Sequence, residues 1–468
     1  MAFPLNKKIT MWILSSVIFM EMLDSTIINT AIPEIAKTFQ TQPINLKLAI
    51  TSYLISLAIF IPISGWAADK YGTKKIFTLS ILIFTISSVF CGLSNSLYEI
   101  AFFRALQGFG GALMTPVARL IMVRVFPVNE LVIATMYIFL PARIGTILGP
   151  LIGGVISSYT TWRWIFFINI PIGIICLFFA SKYIENEVIN SNSKLDYKGF
   201  ILIGTSLSCL ALFLEFIGEK IIPNNILYFI FGVGVISLIL FILHSLKIKD
   251  KSILNLQLFK LRTFRIGTLS NVIAFISTGG IPLLLPLLFQ LQFKLSPLVS
   301  GLLIAPMAVG AMFMRGIAPK FINKFGFKKV ITYTPIGIFV SLIMLSYINI
   351  NSSYSYIIIS CFLLGFFSIS LMSSNGTLIY VDVPKINSSN ATSLDSTIRQ
   401  FSSGISIAFS TLLLTYFLNF TNNHIYSDNA INAFRYTFIT LAGIILIEFF
   451  ISSGLAKNDG EKASKGLS

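Results

Sequence analysis

The sequence predicts an all-α polytopic membrane protein, and three observations support this prediction. Of its 468 residues, 55% are hydrophobic and only 11% are charged, whereas a soluble chain carries about 25% charged residues. The apolar residues form long runs of roughly 20, which is the length of a helix that spans a bilayer. Basic residues concentrate in the short loops between these runs, as expected for cytoplasmic loops of a membrane protein.

The same composition excludes several other classes. The hydrophobicity excludes a disordered chain. Four cysteines without a C-x-x-C pair and two histidines indicate neither a disulfide scaffold nor a metal site. The sequence has no phosphate-binding or hydrolase motif, so we expect no enzyme activity, no cofactor and no ATP-driven transport. The net charge is +16, and the basic residues responsible for it lie in short loops between apolar runs rather than on one binding face. We therefore expect no nucleic-acid partner.

The apolar runs define fourteen candidate spans. They cover residues 10–31, 46–68, 76–94, 98–123, 132–157, 163–182, 199–217, 223–246, 264–290, 297–316, 328–347, 353–373, 397–418 and 433–453. Because the first span carries Glu21 and Asp24, we expect that it is not a cleaved signal peptide. With the N-terminus inside, basic residues on the inner side outnumber those outside by about four to one. This asymmetry predicts that both termini are cytoplasmic.

Two pairs of similar segments indicate an internal repeat. DKYGTKK at residues 69–75 matches NKFGFKK at 323–329, and a second match follows spans 4 and 12. Both matches relate span n to span n + 8, a pattern typical of transporters built from related bundles. The predicted organisation is therefore a six-helix bundle, an inserted helix pair (spans 7 and 8) with its loops, a second six-helix bundle and a cytoplasmic tail. Their bounds are 1–182, 183–262, 263–453 and 454–468.

Charged residues inside the spans are candidate functional groups, because inserting one costs about 2.5–3.5 kcal/mol. Glu21 and Asp24 share one face of span 1. Arg104 of span 4 lies at a depth similar to theirs, ~9 Å from the outer surface. An acid that faces an arginine can couple proton binding to conformational change, and we assign these three residues to proton coupling. The alternative is a fixed structural ion pair.

Arg143 lies near the middle of span 5. It could hold an anionic group in a substrate cavity, or it could neutralise Glu21 or Asp24. With Gln107 and Asn29, it forms the candidate substrate cavity.

The helix beyond Arg143 carries a row of small residues. Gly145, Gly149 and Gly153 allow close helix packing, and Pro150 weakens the helix locally. We expect a hinge here.

The loop between spans 2 and 3 is a candidate gate, formed by Gly65, Asp69, Gly72 and Lys74 together with Arg124 after span 4. Asp69 is placed either to cap the next helix or to pair with Arg124. Such a contact would stabilise one access state. The alternative is that the basic residues only set the topology.

The remaining charges lie near span ends, where their side chains can reach the interface. This interpretation applies to Arg119, Arg315, Asp395, Arg399, Glu448 and Glu215. Within span 9, Gly279 and Gly280 with the prolines that follow predict a break in the helix.

Several motifs resemble those of the major facilitator superfamily. GWAADKYGTKK at residues 65–75 resembles its loop 2–3 motif, RALQGFGG at 104–111 its span 4 motif, and GTILGPLIGG at 145–154 its span 5 antiporter motif. LDSTIINTAIP at 23–33 and WRWIFFINIPIG at 162–173 resemble the fourteen-helix drug:proton antiporter branch, the EmrB/QacA type.

This resemblance implies a major facilitator fold with two six-helix bundles plus two inserted helices. It implies export of small amphiphilic compounds or drugs in exchange for protons, with no cofactor. We expect a monomer in the bacterial inner membrane. Asp24 then carries the proton beside Arg104, Asp69 belongs to the gate, and Gly149 and Pro150 belong to the hinge.

Glu21 and Arg143 depart from the family pattern and leave alternatives open. One is an exporter of anionic metabolites or metal chelates that uses Arg143. Another is a non-transporting membrane sensor on the same fold, although the sequence has no large soluble module of the kind a sensor would carry.

Overall fold

The protein is all α-helical in the residues that the structure describes. The structure, a computed structural model, describes residues 4–41, 43–189, 194–217, 222–421, 430–456 and 459. Within these ranges loops and short 3₁₀ and π turns join the helices, and no strand occurs. The helices are α1 Leu5–Thr38, α2 Lys47–Phe60, α3 Ser64–Tyr71, α4 Thr73–Leu93, α5 Leu97–Val125, α6 Leu131–Tyr159, α7 Trp164–Phe167, α8 Asn169–Tyr183, α9 Tyr197–Phe216, α10 Asn224–Ile248, α11 Arg262–Thr278, α12 Ile281–Leu287, α13 Pro297–Ile304, α14 Pro306–Ser346, α15 Tyr354–Val381, α16 Ser388–Phe420 and α17 Ile431–Ser453.

Twelve helices in the described ranges are long and apolar enough to cross a membrane. They match twelve of the fourteen expected spans. The other two expected spans, 132–157 and 297–316, coincide with α6 and with α13 followed by the start of α14. The prediction of an all-α, multi-pass membrane protein is therefore confirmed, and the count of fourteen spans is not.

The chain divides into two compact units. Unit 1 comprises Met1–Pro127, Tyr137–Leu258 and Pro384–Thr397, and unit 2 comprises Val128–Met136, Phe259–Val383 and Ile398–Ser468. In unit 1, α5 packs against α1, α2 and α4, while α8 packs against α1 and α4. The helices α9 and α10, which the sequence predicts to be an inserted pair, pack against each other, and α9 also packs against α2.

Unit 2 is built around four long helices. Both α11 and α14 pack against α15 and α17. The expected break in span 9 is present, because α11 ends at Thr278 and α12 begins at Ile281. Between them, Gly279 and Gly280 pack so closely on α16 that an added Cβ would overlap the hydroxyls of two α16 serines. Small residues thus allow contact between helices at the break.

Side-chain caps define where several helices begin. Ser96 accepts a hydrogen bond from the Glu99 N–H (3.2 Å) at the start of α5. Asp196 accepts one from the Gly199 N–H (2.9 Å) before α9. Each cap satisfies an N–H group that has no partner within its helix.

The two loops of the sequence repeat share an unusual backbone conformation. Gly72 has φ 95° and ψ 145°, and Gly326 has φ 79° and ψ 157°. They are the only glycines with positive φ in the described part of the chain. Glycine adopts this region far more readily than residues with a Cβ. The repeat seen in the sequence therefore extends to the backbone geometry.

Candidate functional site

A buried polar cluster joins α1, α4, α5 and α8 in unit 1. At its centre is Asp24, which is 1% exposed. Its Oδ2 accepts a hydrogen bond from Arg104 Nη1 at 2.6 Å, within an ion pair. Its Oδ1 accepts hydrogen bonds from Gln107 Nε2 at 2.9 Å and from Asn169 Nδ2 at 2.7 Å. Three donors and one opposite charge thus compensate a carboxylate that burial would otherwise make very costly.

Gln107 links the members of this cluster. Its Oε1 accepts a hydrogen bond from Arg104 Nη1 (2.7 Å), and its Nε2 also donates to Ser88 Oγ (2.7 Å). Asn169 Nδ2 lies 3.3 Å from the same hydroxyl. Gln107 is expected from the sequence to line a substrate cavity, but its amide is fully used inside the cluster and its side chain is buried.

Polar groups with unused hydrogen-bonding capacity surround the ion pair. The Arg104 guanidinium lies 4.2 Å from the centroid of the Tyr53 ring, a cation–π contact with α2. Arg104 Nε, the Tyr53 hydroxyl and Asn169 Oδ1 are buried and have no hydrogen-bond partner among the described residues. The cluster can therefore adopt a different set of hydrogen bonds when the charge on Asp24 changes.

Glycines in α5 bring Arg104 to this position. A Cβ added at Gly108 would lie 2.5 Å from the Tyr53 carbonyl oxygen on α2, and one at Gly110 would lie 2.9 Å from the Phe84 nitrogen on α4. Only residues without a side chain allow the three helices to approach this closely. The same approach places Arg104 over Tyr53 and beside Asp24.

Glu21 lies one turn before Asp24 and is also buried. It accepts a hydrogen bond from Thr115 Oγ1 at 2.7 Å. Arg104 and Thr115 lie on the same face of α5, so this face meets both acids of α1. No ion pair to Glu21 is present in the described part of the chain.

The glycine ridge of α6 packs against α1. A Cβ added at Gly149 would overlap Thr26 Oγ1, and one at Gly145 would lie 3.0 Å from the Phe19 carbonyl oxygen. Gly153 is buried on the same helix. The predicted ridge for close packing is thus present, and its role as a hinge stays a prediction.

Three predicted site residues have side chains outside the described residues. These are Asn29, Arg143 and Pro150. The expectations for the substrate cavity and for the proline in the hinge therefore stay predictions.

The candidate gate forms a second polar group in unit 1. Arg124 Nη2 pairs with Asp69 Oδ1 at 2.7 Å, and the Ser389 hydroxyl donates to the other oxygen of Asp69. Of the two alternatives for Asp69, the structure shows the pairing with Arg124. The N-cap of α4 is Gly72, which has no side chain, and the Lys75 N–H in the first turn donates instead to Asn186 Oδ1 at 3.3 Å.

The start of α16 packs tightly on this gate. A Cβ added at Gly65 would lie 2.6 Å from the Ser389 carbonyl oxygen, and Arg124 Nε lies 3.5 Å from Ser388 Oγ. Lys74 lies apart from this contact and lines a cavity of 610 Å³ between α4 and α8.

The interface interpretation is wrong for three of the charged residues near span ends. Arg119 Nη1 pairs with Asp395 Oδ2 at 2.6 Å, and both side chains are buried. Glu448 is 0% exposed. Packing against other helices, rather than access to the interface, determines their positions. The side chain of Arg315 lies outside the described residues.

Sequence reasoning missed Ser88, Asn169 and Tyr53 as members of the site. Asn169 lies within a recognised motif, but single uncharged polar residues are common in spans and carry little signal on their own. The depth match between Asp24 and Arg104 could have prompted a search for polar residues at the same depth on neighbouring helices.

Three features together define a secondary membrane transporter. They are two compact helical units, apolar helices of membrane-spanning length and a buried acid–arginine pair. The chain belongs to the major facilitator superfamily, whose family model matches residues 14–407. Members of this superfamily are transporters rather than enzymes, and they need no cofactor. A small-molecule substrate and a lipid bilayer follow from this membership.

The relatives with similar sequences are named as multidrug resistance proteins. The chain is 34% identical over 453 residues to the "Putative multidrug resistance protein MdtD" of Escherichia coli O6:H1, covering 96% of this chain and 94% of that protein. The protein of the same name from Shigella flexneri gives the same values. This similarity confirms the family resemblance seen in the motifs.

Two solved structures share the fold. The human organic anion transporter MFSD10 (TETRAN) is 12% identical, with a TM-score of 0.67 and coverage of 96% of this chain and 100% of that chain. The proton:xylose symporter XylE is 14% identical, with a TM-score of 0.63 and coverage of 98% of each chain.

Proposed function

We propose that the protein exports small amphiphilic compounds or drugs from a bacterial cell in exchange for protons. In this proposal it is a monomer that crosses the inner membrane fourteen times and has both termini in the cytoplasm. The observation that carries the proposal is the buried Asp24–Arg104 pair. The name of the MdtD relatives, multidrug resistance proteins, supports the class of substrate.

Proton binding at Asp24 couples the gradient to a conformational change. When Asp24 binds a proton, it loses the negative charge that compensates the Arg104 guanidinium, which lies within hydrogen-bond distance. The guanidinium then has a buried positive charge without a counter-charge, which favours an arrangement that gives Arg104 other partners. Two states with different proton affinity are sufficient for coupling, because any ligand that prefers one state shifts the equilibrium towards it.

The gate and the α6 ridge supply the conformational change in this proposal. The Asp69–Arg124 pair and its contact with Ser389 stabilise one access state. The tight packing of Gly149 on Thr26 transmits movement of α6 to α1, which carries Asp24.

Transport driven by an imposed pH gradient tests the proposal. Purified protein in liposomes is given a pH gradient, and the uphill movement of the cationic dye ethidium is followed by fluorescence. The wild type is expected to accumulate ethidium, and Asp24→Asn is expected to lose this accumulation while it still inserts and folds. Glu185→Gln, which removes an exposed acid outside the spans, is the matched control. Undiminished accumulation by Asp24→Asn would show that Asp24 is not the coupling acid.

Export of anionic metabolites is the second candidate, and it depends on Arg143. This residue lies near the middle of the 29-residue helix α6, where a cation is costly unless it has a partner. Transport of ethidium, carboxyfluorescein and a neutral dye is compared in the wild type and in Arg143→Ala. A change in charge preference supports contact between substrate and Arg143, and equal loss for all three dyes shows a structural role.

A further inference from the structure

Unit 2 contains a buried acid that the exchange mechanism described so far does not use. Glu448 lies on α17 and is 0% exposed. It belongs to the buried stripe of this helix, one turn after Ile445 and one turn before Ser452. An acid in this stripe faces the packed interior of the unit rather than lipid or water.

Two neutral side chains from two other helices form a hydrogen-bonded chain that ends at this acid. Ser270 on α11 donates its hydroxyl hydrogen to Glu448 Oε1. Asn375 Nδ2 on α15 donates in turn to Ser270 Oγ at 2.5 Å. Glu448 Oε2 is buried and has no hydrogen-bond partner in the described part of the chain. In the described part of the chain, only one of the two carboxyl oxygens therefore accepts a hydrogen bond.

No cation compensates Glu448 among the described residues. On the packed helices, Arg262 pairs with Asp459, and Asp382, which follows α15, accepts a hydrogen bond from Thr263. Within the described ranges no ion pair to Glu448 occurs. The other charged or titratable residues on α11, α14, α15 and α17 whose side chains are described are Arg265, Lys328, Lys329, Tyr333, Tyr354, Tyr356, Cys361, Tyr380, Arg435 and Tyr436. A carboxylate buried without a cation is far more costly than a neutral carboxylic acid.

The internal repeat relates the helices of this group to those of the Asp24 cluster. Asp24, Arg104 and Asn169 lie on α1, α5 and α8, which correspond to spans 1, 4 and 6. Ser270, Asn375 and Glu448 lie on α11, α15 and α17, which correspond to spans 9, 12 and 14. These two sets of helices are related by the shift of eight spans. Each set encloses a buried acid that accepts hydrogen bonds from neighbouring helices, but among the described residues only Asp24 has an arginine beside it.

We propose that Glu448 is a second proton-binding site. A bound proton neutralises the carboxylate of Glu448, whereas Arg104 compensates the charge of Asp24. The single hydroxyl hydrogen of Ser270 is donated to Oε1, so Oε1 acts as an acceptor and the proton resides on Oε2. The site binds and releases one proton in each transport cycle. The transporter then moves one proton more per substrate than Asp24 alone would carry. This inference rests on the proposed proton exchange.

Infrared spectroscopy of the full chain in lipid nanodiscs tests the proton on Glu448 without a substrate. At neutral pH the wild type is expected to show a carboxylic-acid carbonyl band that shifts in D₂O. Glu448→Gln is expected to lose one component of this band, and Asp24→Asn is expected to keep that component. Ser270→Ala retains the acid but removes the hydrogen bond to Oε1, so it is expected to shift the same component. A band unchanged in both Glu448→Gln and Ser270→Ala would overturn the proposal.

The proton-to-ethidium ratio in liposomes then tests the function of the site. The ratio is obtained from the membrane potential and pH gradient at which net ethidium flux is zero. Glu448→Gln is expected to lower it by one proton while transport continues. An unchanged ratio would show that the acid is only structural. If the wild type moves no protons with ethidium, proton exchange fails as the function, and the infrared result still decides whether Glu448 holds a proton.

Discussion

The strongest energetic prediction concerns the pair between Asp24 and Arg104. In Asp24→Asn, the amide oxygen can replace Oδ1, which accepts from Gln107 and Asn169. The amide NH₂ group then faces Arg104 Nη1, which is also a donor. The substitution therefore leaves Arg104 buried, charged and opposite a donor.

The size of the effect follows from the burial of both partners. Removing one member of a buried ion pair costs about 3–5 kcal/mol, because the remaining charge is uncompensated. We expect Asp24→Asn and Arg104→Gln each to destabilise the protein by about this amount. The double variant removes both charges, so its loss is expected to be smaller than the sum of the two single losses by about 2–3 kcal/mol.

Unfolding in mixed micelles with increasing SDS measures these free energies. Arg262→Gln is the matched control, because it breaks the exposed pair with Asp459 and is expected to unfold close to the wild type. The loss in the double variant is expected to stay below the sum of the two single losses, and proton-coupled transport is not expected to return. Single variants as stable as the wild type, or strictly additive losses in the double variant, would refute the buried-pair reasoning.

Three further predictions concern packing and the gate. Gly149→Ala is expected to destabilise by about 1–3 kcal/mol through overlap with α1, whereas Gly154→Ala, with nothing within 4 Å of the added Cβ, is expected to be neutral or stabilising; SDS unfolding compares them. Gly72→Ala is expected to destabilise more than Gly326→Ala, because both have positive φ but only the first Cβ would overlap a neighbouring side chain; equal losses would contradict this. Arg124→Gln is expected to weaken the gate and increase labelling of cysteines introduced at the cytoplasmic ends of the spans, and unchanged labelling would remove the gate assignment.

The sequence predicts most of the fold because the bilayer imposes strong constraints. Twenty-residue apolar runs leave few alternatives to membrane-spanning helices, and the break after Thr278 follows from two consecutive glycines. The two loops of the sequence repeat also share a positive φ, at Gly72 and Gly326, which was not predicted from the sequence. The count of fourteen spans stays a prediction, because twelve is the number found in the described residues alone.

The candidate site is only partly predictable from the sequence. Counting residues from span ends predicts the common depth of Asp24 and Arg104, but it does not predict which uncharged side chains join them. The pair between Arg119 and Asp395 shows why, since its members are 276 residues apart. Each residue lies near the end of a span, where the sequence predicts that its side chain reaches the membrane interface. Only the packing of the helices shows that they are buried together.

Proton movement driven by a substrate gradient tests the central claim most directly. Liposomes that contain the protein and a pH-sensitive dye, with the membrane potential clamped at zero, are given an ethidium gradient and no initial pH gradient. The account predicts proton flux opposite to ethidium flux in the wild type and none in Asp24→Asn. Ethidium flux without proton flux in the wild type would contradict proton-coupled exchange.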